Sequence, residues 1–155
     1  MNIARPVLFA IAALGLIGAA PVRVADPMKM LNYLVGRWNC SSSVGGTTTT
    51  YAADYTYALG GKWIRTINSS KRYQSEDMMA YANHRWMVVD MEPTGLMSVL
   101  DATDTGAAHI AMRTAYPRPG LTVTFDRLTK KKYTLKFGGT LGGKPAHWVD
   151  TCTKA

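Results

Sequence analysis

Two cysteines, Cys40 and Cys152, constrain the fold of this 155-residue chain more than any other feature of its sequence. Cys40 lies in the first extended run, two residues after Trp38, and Cys152 lies three residues from the chain end. If the two pair, the first strand meets the last, and the sheet closes on itself without open edges. Such a bond closes a loop of about 100 residues and stabilises the fold by roughly 4 to 5 kcal/mol. The alternative is two buried thiols.

The chain between the cysteines consists of extended runs separated by turn residues. Thr, Tyr, Trp and Val recur in these runs, and no stretch of about 11 residues has convincing helical periodicity. The breaks fall at residues 45–46, 60–61, 71–73, 83–84, 93–95, 103–106, 117–120, 129–131 and 138–143. They leave about ten strands, which predicts an all-β fold, a single antiparallel up-and-down barrel. Residues 26–36 predict one or two helical turns that cap one end of the barrel.

Alternation along several runs indicates strands with one buried and one wet face. The second run places on one face Tyr51, Ala53, Tyr55, Tyr57 and Leu59. Two late runs place on facing sides Leu121, Val123 and Phe125, and Tyr133, Leu135 and Phe137. Residues 85–91 and 96–102 carry apolar side chains on both faces, which suits a cavity on one side and a loop or partner on the other.

Residues 1–25 have the layout of a secretory signal peptide, with Arg5 in a basic start and an apolar run over residues 6–20. That run is short for a bilayer span, which needs about 20 apolar residues. We therefore predict a signal peptide over 1–25 and a barrel domain over 26–155, periplasmic or secreted, without a stable membrane anchor after cleavage. A retained anchor is the alternative. Export makes a disulfide chemically reasonable.

The formal net charge of +8 falls to about +6 when Arg5 and Arg23 leave with the signal peptide. The basic residues are spread along the chain, apart from Lys130, Lys131 and Lys132 in a predicted turn. Nucleic-acid binding calls for a basic stripe interleaved with stacking aromatic residues, and the chain has none. We predict no nucleic-acid partner.

Ordered motifs along most of the predicted domain resemble the DUF1579-type proteins, bacterial barrels related to the nitrobindin and lipocalin (calycin) group. They are L-V-G-R-W-N-C at residues 34–40, A-L-G-G-K-W at 58–63, R-W-M-V-V-D at 85–90, T-F-D-R at 124–127, K-Y-T-L at 132–135 and D-T-C-T-K at 150–154. The resemblance implies a calycin-like or nitrobindin-like barrel that encloses a ligand cavity. It does not imply a particular ligand.

Nitrobindin-like barrels bind haem through a histidine, and the resemblance implies that His147 occupies the position of that ligand. Strand parity argues against it. If Trp38 points inward, as its counterpart does in calycins, Cys40 shares its face, and a paired Cys152 must face inward too. Asp150 and Trp148 then also face inward, and His147 faces outward. Haem is therefore the alternative cofactor, and the favoured prediction is that the protein has none.

Arginines on otherwise apolar faces are the strongest candidates for recognising a ligand. Arg65 alternates with Trp63, and Arg127 alternates with Phe125. A buried guanidinium needs an anion, either an internal carboxylate or an acidic ligand head group. The alternative is that these arginines lie at strand ends and reach water. The scattered methionines favour core or pocket lining over a copper site.

No catalytic motif is present, because the serines, acids and histidines do not fall in a known arrangement. We predict a non-catalytic protein that holds a small apolar or amphipathic molecule inside the barrel, with Arg65 or Arg127 at its head group. The predicted lining is Tyr55, Tyr57, Trp63, Met79, Tyr81, Met87 and Phe125. Two other functions stay open: haem chemistry on reactive nitrogen species, and a ligand-free structural or protein-interaction domain. The sequence does not indicate an oligomeric state.

Overall fold

A computed structural model describes residues 26–102, 106, 108–117, 120–141 and 143–155, without the side chain of residue 141. The predicted signal peptide, residues 1–25, lies outside the described residues. The elements are α1 (Pro27–Met30), β1 (Gly36–Val44), β2 (Thr47–Ala58), β3 (Trp63–Ser69), β4 (Gln74–Ala82), β5 (Arg85–Met91), β6 (Met97–Ala102), β7 (His109–Tyr116), β8 (Leu121–Thr129), β9 (Lys132–Leu141) and β10 (Lys144–Lys154). Among the described residues, no helix has the length and apolar character that a membrane span requires.

Ten antiparallel strands form a closed barrel in which each strand pairs with its neighbours in sequence and β1 pairs with β10. Cys40 lies opposite Cys152 at this closure, and their sulfur atoms are bonded at 2.03 Å. The predicted barrel, its strand number and its disulfide are confirmed. The disulfide indicates an oxidising compartment, because cytosolic thiols are kept reduced.

Strand pairing determines which side chains face the interior. Trp38 and Cys152 are fully buried, and residues paired with them, or two positions along, share the inner face. Around the barrel the inner face includes Ile64, Trp86, Ile110, Phe125 and Tyr133, which are at most 2% exposed. These buried side chains alternate along their strands with more exposed outward ones, which is the pattern of a closed sheet with a core inside.

The short helix begins where the sequence predicts. Asp26 accepts a hydrogen bond from the backbone N–H of Met28, and Pro27 occupies the first turn, where its missing N–H costs nothing. The side chains of Met28, Leu31 and Leu34 are at most 4% exposed, because they plug one mouth of the barrel. We call this mouth the cap end, and the mouth beside residues 45–46 the open end.

Two predicted boundaries differ from the structure. Leu59 does not continue β2; it begins a short 3₁₀ turn over Leu59–Gly61 and is 70% exposed. The break predicted from residue 138 comes only after Leu141, because β9 continues through two glycines. A side chain at Gly139 would overlap the carbonyl oxygen of Gly120. That glycine therefore permits a close approach of two strands and does not mark a turn.

Candidate functional site

The cap end of the barrel is sealed by hydrogen bonds between the wall and the turn after α1. The indole N–H of Trp38 donates to the carbonyl of Leu34 at 2.6 Å. The ammonium of Lys154 donates to the carbonyls of Tyr33 and Val35 at 2.8 and 2.6 Å, and it lies 4.8 Å from the centre of the Trp38 ring. These bonds satisfy carbonyls of the turn that follows α1.

Aromatic rings fill the half of the interior next to the cap end. Tyr133 lies edge-on to Trp38, with ring centres 4.8 Å apart, and stacks on Phe125 at 4.9 Å. Its hydroxyl lies 2.7 Å from that of Tyr55, so each buried hydroxyl has a partner. Burial raises the pKa of both tyrosines, which keeps them neutral. This half is a packed core.

The other half of the interior, which we call the open half, is lined by inward residues that are mostly only partly buried. It consists of Ser42, Tyr51, Asn68, Ser75, Asp77, Asp90, Ser98, Thr114, Leu121, Leu135, Phe137, Trp148 and Asp150. Ser75, Thr114 and Asp150 are less than 9% exposed, whereas the other members retain contact with solvent. The open half therefore has both polar and apolar walls and is reached by water.

Two carboxyl groups face each other within the open half. Asp77 lies opposite Asp90 on the neighbouring strand. The amide of Asn68 donates to Asp77 at 2.8 Å, and the hydroxyl of Ser98 donates to Asp90 at 3.2 Å. Enclosure by the barrel wall and the adjacent Asp90 carboxyl raise the pKa of Asp77 well above its usual range. Asp77 therefore keeps its proton to a higher pH than an exposed aspartate does.

A third carboxyl group, that of Asp150, is 6% exposed. Its Oδ2 atom accepts a hydrogen bond from the Tyr51 hydroxyl at 2.7 Å. Its Oδ1 atom is buried and has no hydrogen-bond partner among the described residues. Burial raises the pKa of Asp150, and the neighbouring hydroxyls of Ser42 and Tyr51 oppose that rise. An unpaired buried carboxylate oxygen is costly unless a donor reaches it.

An aromatic pair stands beside this carboxyl group on the side of the open end. Phe137 and Trp148 lie opposite each other on β9 and β10, and their rings stack with centres 4.3 Å apart and planes inclined by 10°. Trp148 is two residues before Asp150, so both face inward. Both rings keep a partly exposed face, which supplies apolar contact area next to a carboxylate.

The ion pairs among the described residues all lie on the outer face of the barrel. They are Arg37–Asp54, Arg65–Glu76, Arg85–Asp101, and Asp126 with both His109 and Lys136. At the cap end, the described strands place two basic side chains on the inner face: Lys154, bonded to carbonyls, and Arg127, whose guanidinium lies 4.1 Å from the centre of the Tyr33 ring. Lys144 lies on the same face of β10 as Trp148 and Asp150, and its side chain is exposed at the open end. The three aspartates of the open half form none of these ion pairs.

The predicted lining residues fall into three groups. Tyr55, Met79, Tyr81 and Phe125 face inward and pack in or against the core of the cap-end half. Tyr57 is 40% exposed at the cap-end rim, where its hydroxyl donates to the side chain of Asn32. Trp63, Arg65 and Met87 lie on the outer face, because they alternate with the buried Ile64, Trp86 and Val88. Arg65 is paired there with Glu76, and Arg127 lies at the cap end, so neither reaches the open half.

Strand parity could have found the polar residues of the open half. Asp77 shares a strand face with Met79 and Tyr81, both predicted to face inward. Parity from the disulfide already places Asp150 and Trp148 inward. For β3 and β5, the apolar pattern of the sequence predicted that Trp63, Arg65 and Met87 face inward, whereas they face outward. The pattern is ambiguous because the outer faces of these two strands also carry apolar residues: Trp63, Ile67, Met87, Val89 and Met91.

None of the three histidines faces the interior. His147 is exposed on the outer face of β10, His84 lies in an exposed turn, and His109 is paired with Asp126 outside the barrel. The described barrel therefore supplies no interior histidine to hold a haem iron. No three metal-binding side chains converge within the described part of the chain either.

A groove of about 600 Å³ crosses the outer face of β10, β1 and β2. Hydroxyl and amide side chains line most of it, together with Lys71 from the turn after β3. It lacks both an unsatisfied buried group and a convergent set of charges, and thus offers less chemistry than the open half.

The chain matches no protein-family model and no curated protein.

Proposed function

We propose that this chain is an exported, non-catalytic barrel that binds a small amphipathic molecule in its open half, in the periplasm or outside the cell. The observation that carries the proposal is the contrast between the two halves of the interior. The cap-end half is packed with buried rings, whereas most inward residues of the open half keep contact with solvent. A relationship to the calycin barrels is part of the proposal, and the closed ten-stranded sheet is consistent with it.

The chemistry of the open half suits an amphipathic ligand. Phe137 and Trp148 offer stacked aromatic area, and Leu121 and Leu135 extend the apolar wall. Asp150 lies beside them on β10, and Asp77 and Asp90 lie on β4 and β5, each carboxyl group with a hydroxyl or amide partner. A mainly apolar site with a few placed polar groups is typical of small-molecule binding.

Two neighbouring serines supply a matched test. Ser42 faces the open half opposite Asp150, and Ser43 faces outward opposite Val149. We expect Ser42→Phe to fill the site and to reduce binding of the neutral dye Nile red at least tenfold, measured by the dye's fluorescence. Ser43→Phe adds the same ring outside and should leave binding unchanged.

Equal binding by the wild type and both variants would place the dye outside the barrel and contradict the proposal. Absence of dye binding by the wild type, together with native mass spectra of the protein from its own compartment that show only the bare chain, would favour the ligand-free reading. The apolar outer residues of β3 and β5 would then be the candidate surface for a protein contact.

A further inference from the structure

The carboxyl groups of the open half define the kind of head group it can accept, and this inference rests on the proposed function. We propose that the open half binds the ammonium group of an organic amine, with Oδ1 of Asp150 as its acceptor and the Phe137–Trp148 pair against its apolar body. An acidic ligand, as the arginines suggested from sequence alone, is disfavoured by the same geometry.

Charge placement is the first line of support. The chain has 18 basic and 10 acidic residues, so it contains more cationic side chains than carboxylates. The acids on the outer face of the barrel take such partners, for example Asp54 with Arg37 and Asp101 with Arg85. Asp77, Asp90 and Asp150 face inward and form no ion pair among the described residues. A buried carboxylate without a cation is costly, so a cationic ligand beside Asp150 would relieve that cost.

The unsatisfied oxygen is the second, independent line. Asp150 is 94% buried and uses only one of its oxygens, since Tyr51 donates to Oδ2 while Oδ1 has no partner in the described structure. Asp77 and Asp90 also accept a bond from a neutral donor each, but neither has a buried oxygen without a partner in the described structure. An ammonium group carries both N–H donors and a positive charge. Its hydrogen bond to a carboxylate is therefore charge-assisted, and such bonds are about twice as strong as those between neutral groups.

The aromatic neighbours are the third line. The stacked rings of Phe137 and Trp148 stand beside Asp150 on the open side. The faces of such rings attract cations and apolar surface alike. A metal ion is a poorer fit, because no three metal-binding side chains converge in the described residues. One carboxylate beside aromatic rings is sufficient for an amine and insufficient for most metal ions.

Three probes that differ only in their head group test the inference: 4-phenylbutylamine, 4-phenylbutanol and 4-phenylbutyric acid, each titrated into the wild-type protein by calorimetry. We expect the amine to bind at least tenfold more tightly than the alcohol, and the acid to bind more weakly than either. Asp150→Asn keeps the shape of the side chain and should lower the affinity for the amine at least tenfold. Asp54→Asn, on the outer face, should not change it.

The outcomes separate this inference from the proposed function. Tighter binding of the acid or the alcohol would overturn the amine assignment and leave a ligand-binding barrel. Amine binding that Asp150→Asn does not weaken would overturn the role of Asp150. No binding of any probe would count against both proposals. Near-ultraviolet circular dichroism checks that the variant is folded; if it is not, the comparison of the three probes on the wild type decides.

Discussion

Asp77 shows how one enclosed carboxyl group ties stability to pH. Its pKa is raised to about 8 by burial and by Asp90. Above the ordinary pKa of about 4, an unfolded chain releases this proton while the folded chain keeps it. The unfolded state then binds fewer protons, so raising the pH from about 4 to about 8 lowers the free energy of unfolding.

We predict that Asp77→Asn removes this dependence, because an amide does not titrate. Across that window, the free energy of unfolding of the wild type should fall relative to that of the variant as the pH rises. The limit for one proton is about 1.4 kcal/mol per pH unit. Urea unfolding at several pH values measures it, with the outer-face variant Asp54→Asn as control. The charged or titratable groups that influence Asp77 are Asp90, Glu76, Tyr51, Tyr55 and Tyr73. A constant difference across the window would show that Asp77 ionises normally.

Individual residues of the site were only partly predictable from the sequence. Parity from the disulfide placed Trp148 and Asp150 inward correctly, since a covalent bond fixes which face of a strand meets its neighbour. No such reference exists for Arg65 and Met87. Their strands carry apolar side chains on both faces, so alternation alone cannot tell inside from outside. The missing partner of Asp150 is a property of three-dimensional packing and has no signature in the sequence.

At the scale of elements, the cap is an example of a short helix that is stable only through its contacts with the barrel. A single helical turn is unstable by itself. Burial of Met28, Leu31 and Leu34, together with the hydrogen bonds from Trp38 and Lys154, holds it in place. The sequence predicted one or two helical turns over residues 26–36 that cap one end of the barrel. It did not indicate that Lys154, at the other end of the chain, would anchor it.

We predict that Lys154→Met, which keeps an unbranched apolar stem but removes the donors, destabilises the protein by about 1 to 3 kcal/mol, because the carbonyls of Tyr33 and Val35 lose their partner. Amide hydrogen exchange measured by mass spectrometry should increase in residues 27–35 more than in the strands. Lys144→Met, exposed at the open end, serves as the control. Equal protection of residues 27–35 in both variants would contradict an anchoring role.

Strands and turns were the most predictable elements, because turn residues and period-two alternation are local signals. The two glycines of β9 were misread, since a glycine needed for a close approach between strands looks the same in sequence as one needed for a turn.

At the scale of the whole molecule, the disulfide joins the two ends of the sheet across a sequence separation of 112. Opening it restores the freedom of a loop that contains most of the barrel. We predict that Cys40→Ala combined with Cys152→Ala lowers the free energy of unfolding by about 4 kcal/mol, measured by urea denaturation. A reductant should lower the stability of the wild type to that of the double variant and leave the variant unchanged. A wild type equally stable with and without reductant would contradict a stabilising bond.

The distribution of charge completes the description of the whole barrel. Ion pairs lie on the outer face, buried rings fill one half of the interior, and the three carboxyl groups of the other half form no ion pair among the described residues. This arrangement is the basis of our proposal that the open half binds a cationic amphipathic molecule.

The most direct test is a crystal structure of the wild-type protein with 4-phenylbutylamine. The account predicts the amine nitrogen within about 3 Å of Oδ1 of Asp150 and the phenyl ring against Trp148. Density for the probe only on the outer face of the barrel, or an open half filled by the protein's own side chains, would contradict it.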